Sequence, residues 1–325
     1  MERVVVTGVG GYVGRHVAAE LLNSGYQVTG TVRSMSRVAA IGGAIGQEAN
    51  TSALEFAQAD LLADDGWPEV MRGADYVLHV ASPFALEDPR DESDLIAPAV
   101  EGTTRVLAAA EQAGVRRTVL TSSIVTIVMG RTSGTFGPDV WADPSGPIGT
   151  YAKSKVLAEQ AAWRLSRDMK MELTTVLPGF VTGPALGGPA DSESAHIVSD
   201  LISGRRPGVP DFALGMVDVR DVARLHVKAM TVPDAAGKRL IGSSEDAVPM
   251  LHLATTLRTA GYSKVPTRKL PTRLVKLVGI FDRSVRSTIP YLGSRARLDT
   301  TQTREVADWS AGPIEPGLIE LARLR

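Results

Sequence analysis

Residues 3–6 form a short apolar run that breaks into glycines, residues 12–22 then repeat apolar positions at helical spacing, and residues 27–32 return to a strand-like run. The switch of period from strand to helix and back predicts a βαβ opening. Further apolar runs at 54–58, 76–80, 118–121 and 173–177 read as strands, with helical patterns at 96–113 and 151–167 between the later ones. Alternation of this kind predicts an α/β fold, a doubly wound parallel sheet with helices on both faces.

Beyond residue 177 the pattern changes, because Pro178, Gly179, Gly183, Pro184, Gly187, Gly188 and Pro189 crowd together. Residues 217–230 read as a strand entering a helix, and 239–241 as one more strand returning to the core. The expected division is a core of residues 1–183 plus about 216–246, and a smaller, mostly C-terminal lobe of about 184–215 and 247–325. Such a lobe would close over the carboxyl ends of the strands, where open α/β sheets bind ligands.

Composition narrows the classes. The 325 residues are 44% hydrophobic and 22% charged with a formal net charge of −1, which supplies a sizeable core and gives no bulk electrostatic case for a nucleic-acid partner. With no cysteine there is no disulfide, thiolate nucleophile or Cys-ligated metal, which fits a cytoplasmic protein. The start, Met1-Glu2-Arg3, lacks the apolar stretch of a secretory signal. The apolar run 270–281 is interrupted by Arg273 and Lys276 and falls short of the roughly 20 residues needed to cross a bilayer. It reads as amphipathic helix, and no membrane partner is expected. Arginines recurring from Arg268 to Arg304 are mixed with acids and few aromatics, as on a solvated face. The five histidines are dispersed without ligand spacing, so no metal is expected.

The chemistry begins at Thr7-Gly8-Val9-Gly10-Gly11-Tyr12-Val13-Gly14, a TGxxGxxG spacing set between the first strand and its helix. Gly8 permits a tight turn, Gly11 lets the backbone approach a pyrophosphate, and Gly14 lets helix and strand pack closely, with the helix N-terminus offering amides to the phosphates. NAD-specific versions carry an acid about 20 residues farther on, for the adenosine ribose. Here the second strand ends in Thr31-Val32-Arg33-Ser34-Met35-Ser36-Arg37, placing Arg33 and Arg37 where a 2′-phosphate would sit and favouring NADP(H) over NAD(H). Asp60 and Leu61, after the third strand, flank the adenine position, or Asp60 caps the next helix.

Tyr151 and Lys155 stand four apart at the start of an alanine-rich helix and share a face. A tyrosine with an ordinary pKa near 10 is a poor base at neutral pH, and a neighbouring ammonium stabilises its phenolate. Tyr151 can then exchange a proton with a carbonyl oxygen. Thr121-Ser122-Ser123 follows the fifth strand over the same crevice, where a hydroxyl can hydrogen-bond that oxygen.

In this order the motifs resemble the extended short-chain dehydrogenase/reductase superfamily, with its Rossmann core, and within it the dihydroflavonol-4-reductase-like carbonyl reductases. The likeness runs through Val32-Arg33, Asp60-Leu61, His79-Val80-Ala81-Ser82-Pro83, Val100-Glu101-Gly102-Thr103, Ser122-Ser123, Tyr151 to Lys155, Leu177-Pro178-Gly179, Val217 to Ala223 and Leu298 to Trp309. It implies a Ser123, Tyr151, Lys155 triad, Ser123 being the last serine before the apolar run. It also implies cofactor contacts from Val80, Ala81, Ser82 and Thr121, from Lys155 to the nicotinamide ribose, and from Pro178, Gly179 and Val181 beside the nicotinamide. The substrate pocket would be formed by Ser82, Pro83, Phe84, Ser123, Val125, Tyr151 and Gly179, with His79 a buried structural residue. Ile124-Val125 departs from the small residue and glycine frequent in plant relatives, and changes the pocket wall.

The resemblance thus implies NADPH-dependent reduction of a small-molecule ketone or aldehyde to an alcohol. Two other readings stand beside it, an NAD-dependent sugar-nucleotide epimerase and a non-catalytic NADP-sensing regulator. A dehydratase would need an Asp-Glu pair where Ile124-Val125 stands. Helices 96–113 and 151–167 are the surfaces through which a homodimer would form in this superfamily.

Overall fold

The computed structural model describes residues 1–83, 89–189 and 192–323. Its first half comprises β1 (Arg3–Thr7), α1 (Tyr12–Asn23), β2 (Gln27–Val32), α2 (Val38–Ile45), β3 (Leu54–Gln58), α3 (Trp67–Met71), β4 (Tyr76–His79) and α4 (Ser93–Gln112). Then follow β5 (Arg117–Thr121), α5 (Val125–Val128), β6 (Thr135–Phe136), α6 (Thr150–Ser166), β7 (Glu172–Pro178), β8 (Phe180–Thr182), α7 (Glu193–Ser203), β9 (Ala213–Leu214) and β10 (Met216–Asp218). The remainder is α8 (Val219–Thr231), β11 (Arg239–Gly242), β12 (Val248–Pro249), α9 (Met250–Thr259), α10 (Thr272–Val278), α11 (Arg283–Arg286), β13 (Arg297–Leu298), α12 (Thr301–Ala307) and α13 (Glu315–Arg323).

Seven strands form one parallel sheet in the order β3-β2-β1-β4-β5-β7-β11. Strand periodicity sends alternate side chains to opposite faces. Val4, Val6, Leu78, Val119 and Val176 pack with Val17 and Leu21 of α1 and Val222 and Leu225 of α8, whereas Val5, Val77, Leu120 and Leu173 meet Trp67 of α3, Leu107 of α4 and Ala162 of α6. Both faces are thereby buried along the central strands, which is why β1 and β4 read as apolar runs, whereas β3, LEFAQ, at the sheet edge is only partly buried. After β3 the chain returns to the other side of β1, and this reversal between β1 and β4 opens a crevice at the strands' carboxyl ends.

A second apolar cluster gathers Val198 and Leu201 of α7, Phe212, Leu253 and Leu257 of α9, and Leu318 and Leu321 of α13. The 217–230 segment is the strand entering a helix that its pattern predicts: β10 pairs with β8 outside the main sheet, and Asp218 ends it by accepting from the Arg220 N–H to cap α8. Helices α2, α3 and α5 escaped the pattern because they run only 8, 5 and 4 residues, and α2 contains Gly42-Gly43.

Candidate active site

Two of the glycines after β1, Gly8 and Gly14, are required by a close backbone approach. Gly8 has φ +68°, where L side chains are strained, and a Cβ on it would lie 2.8 Å from the Ala81 Cα. A Cβ on Gly14 would lie 2.3 Å from the Gly8 carbonyl oxygen, so α1 can lean on the loop only with glycine there. Gly11, by contrast, meets nothing but that same oxygen at 3.3 Å, and no side chain caps the α1 N-terminus behind it. Bare backbone amides therefore face the crevice, which fits a pyrophosphate. Tyr12 lines this space too, its hydroxyl donating to the Gly183 carbonyl at 2.8 Å.

Thr7 does not line the crevice. It is fully buried, its Oγ1 accepting from the Ala81 N–H at 3.0 Å and hydrogen-bonded to His79 Nδ1 at 2.7 Å, so it ties the ends of β1 and β4 together. Burial, and secondarily the Lys155 charge, push the His79 pKa down to about 3 and keep the ring neutral. Pro178 is likewise inside β7, away from the crevice wall, whereas Gly10, Val13, Val80, Ala81, Ser82, Pro83, Thr121, Gly179 and Val181 all line it. Phe84 lies outside the described residues. Gly179 has its own steric reason, since a Cβ would fall 2.5 Å from both the Gly215 carbonyl oxygen and Ser243 Oγ.

At the adenosine end, Arg33 and Arg37 are exposed, line the crevice and form no ion pair among the described residues. Arg15 lies close by, donating to the Gly10 carbonyl at 3.1 Å; burial and then the Arg37 charge lower its pKa. Three cations thus share a site with no acid at the end of β2. Asp60 spends one carboxylate oxygen on the Leu62 N–H at 3.0 Å, while Leu61 offers an apolar wall.

At the other end, Gly149, at φ +82°, turns the chain into α6. Tyr151 stands in the first turn and Lys155 one turn on, its Nζ 5.9 Å from the Tyr151 ring centroid. Lys155 is buried beneath the tyrosine, where desolvation strengthens its pull on a phenolate. The serine pair is resolved by direction. Ser123 lines the crevice with Tyr151 and Val125, whereas Ser122 turns inward and donates to Glu159 Oε2 at 2.7 Å.

Glu159, one turn beyond Lys155, was not singled out by the motifs. It is 1% exposed and also accepts from Thr175 Oγ1 at 2.9 Å and from Arg239 Nε at 2.8 Å. Arg239 in turn donates to Thr126 Oγ1 at 2.8 Å, stacks 3.7 Å from the centre of the Trp141 ring, and Thr126 Oγ1 donates to the Ser123 carbonyl at 2.8 Å. One buried ion pair therefore holds both the serine turn and the helix carrying Tyr151 and Lys155. The available signal was a lone acid eight residues after Tyr151 in an otherwise alanine-rich stretch.

These parts open into one continuous chamber of about 1520 Å³, running from Arg33 past Tyr151 to an apolar end lined by Ile148, Ile197, Phe212, Met250, Val275 and Tyr291. The volume exceeds the ~300–1,000 Å³ of a single drug-sized ligand's pocket, leaving room for a dinucleotide and a second molecule. Among the described residues no group of three His, Cys, Asp or Glu is placed to hold a metal ion.

Residues 4–241 match the model of the NAD dependent epimerase/dehydratase family. Tetraketide alpha-pyrone reductase 1 of Arabidopsis thaliana is 32% identical over 296 residues, covering 87% of this chain and 88% of that one. Cinnamoyl-CoA reductase 1 of Petunia hybrida is 35% identical, over 74% of this chain and 72% of its own. Among solved structures, yeast methylglyoxal/isovaleraldehyde reductase Gre2 complexed with NADPH superposes with a TM-score of 0.80 at 26% identity, covering 99% of this chain and 97% of that one. The Gre2–NADPH complex from Candida albicans gives 0.81 at 25% identity, over 99% of each chain. With its glycine loop, parallel sheet and Tyr151–Lys155 helix in place, the chain belongs to the NAD dependent epimerase/dehydratase family.

Proposed function

We propose that the protein is an NADPH-dependent reductase that converts a ketone or aldehyde to an alcohol, with Tyr151 as proton donor. The observation that carries this is the continuity of one chamber from the unpaired Arg33 and Arg37 to Ser123 and Tyr151. The relatives named above are reductases, and two of the matching structures were solved with NADPH. When bound, NADPH supplies hydride to the carbonyl carbon. Ser123 and Tyr151 hydroxyls hold the carbonyl oxygen, Tyr151 gives its proton as negative charge develops there, and the Lys155 ammonium stabilises the phenolate left behind. Arg33 and Arg37 hold the 2′-phosphate, and the uncapped start of α1 holds the pyrophosphate.

The division of labour follows the two apolar clusters: residues 1–183 with about 216–246 serve the cofactor, and about 184–215 with 247–325 shape the substrate end. Two segments cross that division: Ala307 and Trp309 pack against the core helices, and Arg297–Leu298 pairs with Thr135–Phe136.

The test is NADPH oxidation by the purified protein across a panel of aldehydes and ketones, with Tyr151→Phe alongside. The variant is expected to lose about 10²–10⁴ in kcat while its NADPH affinity, read by fluorescence titration, stays within about twofold of the parent. Full turnover by Tyr151→Phe overturns the mechanism. NAD that co-purifies tightly, with no response to added NADPH, would favour the epimerase instead.

A further inference from the structure

The amphipathic segment 270–286 has no part in the chemistry above, yet it carries the most unusual surface of the molecule. Among the described residues eight large hydrophobic side chains are exposed, and five of them, Leu274, Leu277, Val278, Ile280 and Phe281, fall within one eight-residue stretch. Scattered singly such residues need no explanation; gathered in a patch they mark a contact surface. Phe281 is 85% exposed, Ile280 60% and Leu277 57%.

The inner side of the same helices is fully used. Val275 and Val285 are buried and line the substrate end of the chamber, where Leu274 and Val278 also reach, so α10 and α11 are its wall and the outward patch rests on Leu277, Ile280 and Phe281. Arg286 clamps the turn between them, donating to the Gly279 carbonyl at 2.9 Å and the Ile280 carbonyl at 2.6 Å. The helices therefore cannot roll to bury their outer face without opening that wall.

Charge decides what covers it. Arg273, Lys276 and Arg283 flank the apolar residues, are exposed, and form no ion pair among the described residues. Between residues 272 and 286 the sequence has four cations, counting Arg286, and one acid, Asp282. A second copy docked through the same face would bring these cations against one another, which opposes a symmetric dimer there. A lipid surface takes apolar side chains among its acyl chains and cations among anionic headgroups without needing a matching shape.

We propose that α10, α11 and the turn between them dock the protein on an anionic membrane surface. The chamber wall then lies against the bilayer, where carbonyl compounds partitioned into lipid are concentrated. That consequence for the substrate rests on the reductase function; the docking itself does not. That no helix among the described residues is long and apolar enough to cross a membrane is no obstacle, because a helix lying in the interface does not cross it.

Co-sedimentation with vesicles tests this, using phosphatidylcholine alone and phosphatidylcholine mixed equally with phosphatidylserine. The protein should pellet with the mixed vesicles, about tenfold less with the neutral ones, and less again as salt is raised. Leu277→Glu with Phe281→Glu, and separately Arg273→Glu with Lys276→Glu, should each weaken binding by about tenfold or more, at an unchanged unfolding temperature. No pelleting with either vesicle, or equal pelleting of parent and variants, overturns the proposal. A dimer in light scattering that Phe281→Glu converts to monomer also overturns it, because a second copy would then own the face. Lipid binding by a protein inert toward every carbonyl would sink the reductase function and leave this proposal standing.

Discussion

At the scale of single residues, the cofactor preference hangs on the side chain that follows β2. A carboxylate there would accept from a ribose hydroxyl and repel a phosphate, whereas a guanidinium grips a phosphate bidentately. Arg33 stands there with Arg37 and Arg15 near it, and residues 31–37 contain no acid. Arg33→Asp should therefore raise the dissociation constant for NADPH by about tenfold to a hundredfold, the loss of one charge-assisted phosphate contact, and change that for NADH far less. Fluorescence titration of both cofactors reads the difference, and an equal loss for the two would remove Arg33 from the 2′-phosphate site. The family likeness chose Ser123 over Ser122 by position along the chain alone; the structure adds that Ser122 donates to Glu159 whereas Ser123 lines the chamber.

At the scale of elements, helix spacing aligns Tyr151, Lys155 and Glu159 along one face of α6, and each turn inward passes from solvent toward the core. The ion pair at the inner end joins α6 to β11, β7 and the serine turn. Removing one member of a buried pair strands the other's charge in a low-dielectric setting, which typically costs more than the pair contributes when intact. Arg239→Met should thus destabilise the fold by ~3–5 kcal/mol, and adding Glu159→Gln to it should cost less than the two single changes summed. Urea unfolding of the three variants decides this. A loss below about 1 kcal/mol for Arg239→Met would put the pair in the class of screened surface bridges.

For the whole molecule, pH stability follows from histidines folded into its interior: burial lowers the pKa of His16 as well, and most strongly those of His79 and His226. Burial lowers His79 to about 3 and His226 to about 4. His226 stays neutral between the Val222 carbonyl, which accepts from Nδ1–H at 2.8 Å, and Thr121 Oγ1 at 2.7 Å from Nε2. In the unfolded chain both protonate near pH 6.5, so below that pH the unfolded state binds protons that the folded state refuses. Their contribution is complete above about pH 6.5 and is lost as pH falls toward the folded values, by up to about 1.4 kcal/mol per pH unit for each ring. Unfolding free energies at about pH 7 and about pH 5 should differ accordingly, and His226→Gln should reduce the histidine slope without abolishing it. A pH-independent stability across that range would mean that both rings ionise in the fold.

The glycine loop, the Arg33 end of β2 and the Tyr151–Lys155 pair were legible because each acts through neighbours within a turn or two of chain, where spacing alone fixes geometry. The central strands of the sheet were legible for a related reason: both of their faces are covered, so apolar residues dominate them. Tertiary structure alone decided which residues meet across long separations. Glu159 and Arg239 are 80 positions apart, Thr7 and His79 are 72 apart, and no local pattern records either pairing. It also assigned the two sides of residues 270–286, where an amphipathic pattern announces an apolar face but cannot say whether core, chamber or solvent receives it. The answer here is all three, because a short helix forming the wall of a cavity has an inside to line it, an edge to pack and an outside that the rest of the chain is too far away to cover.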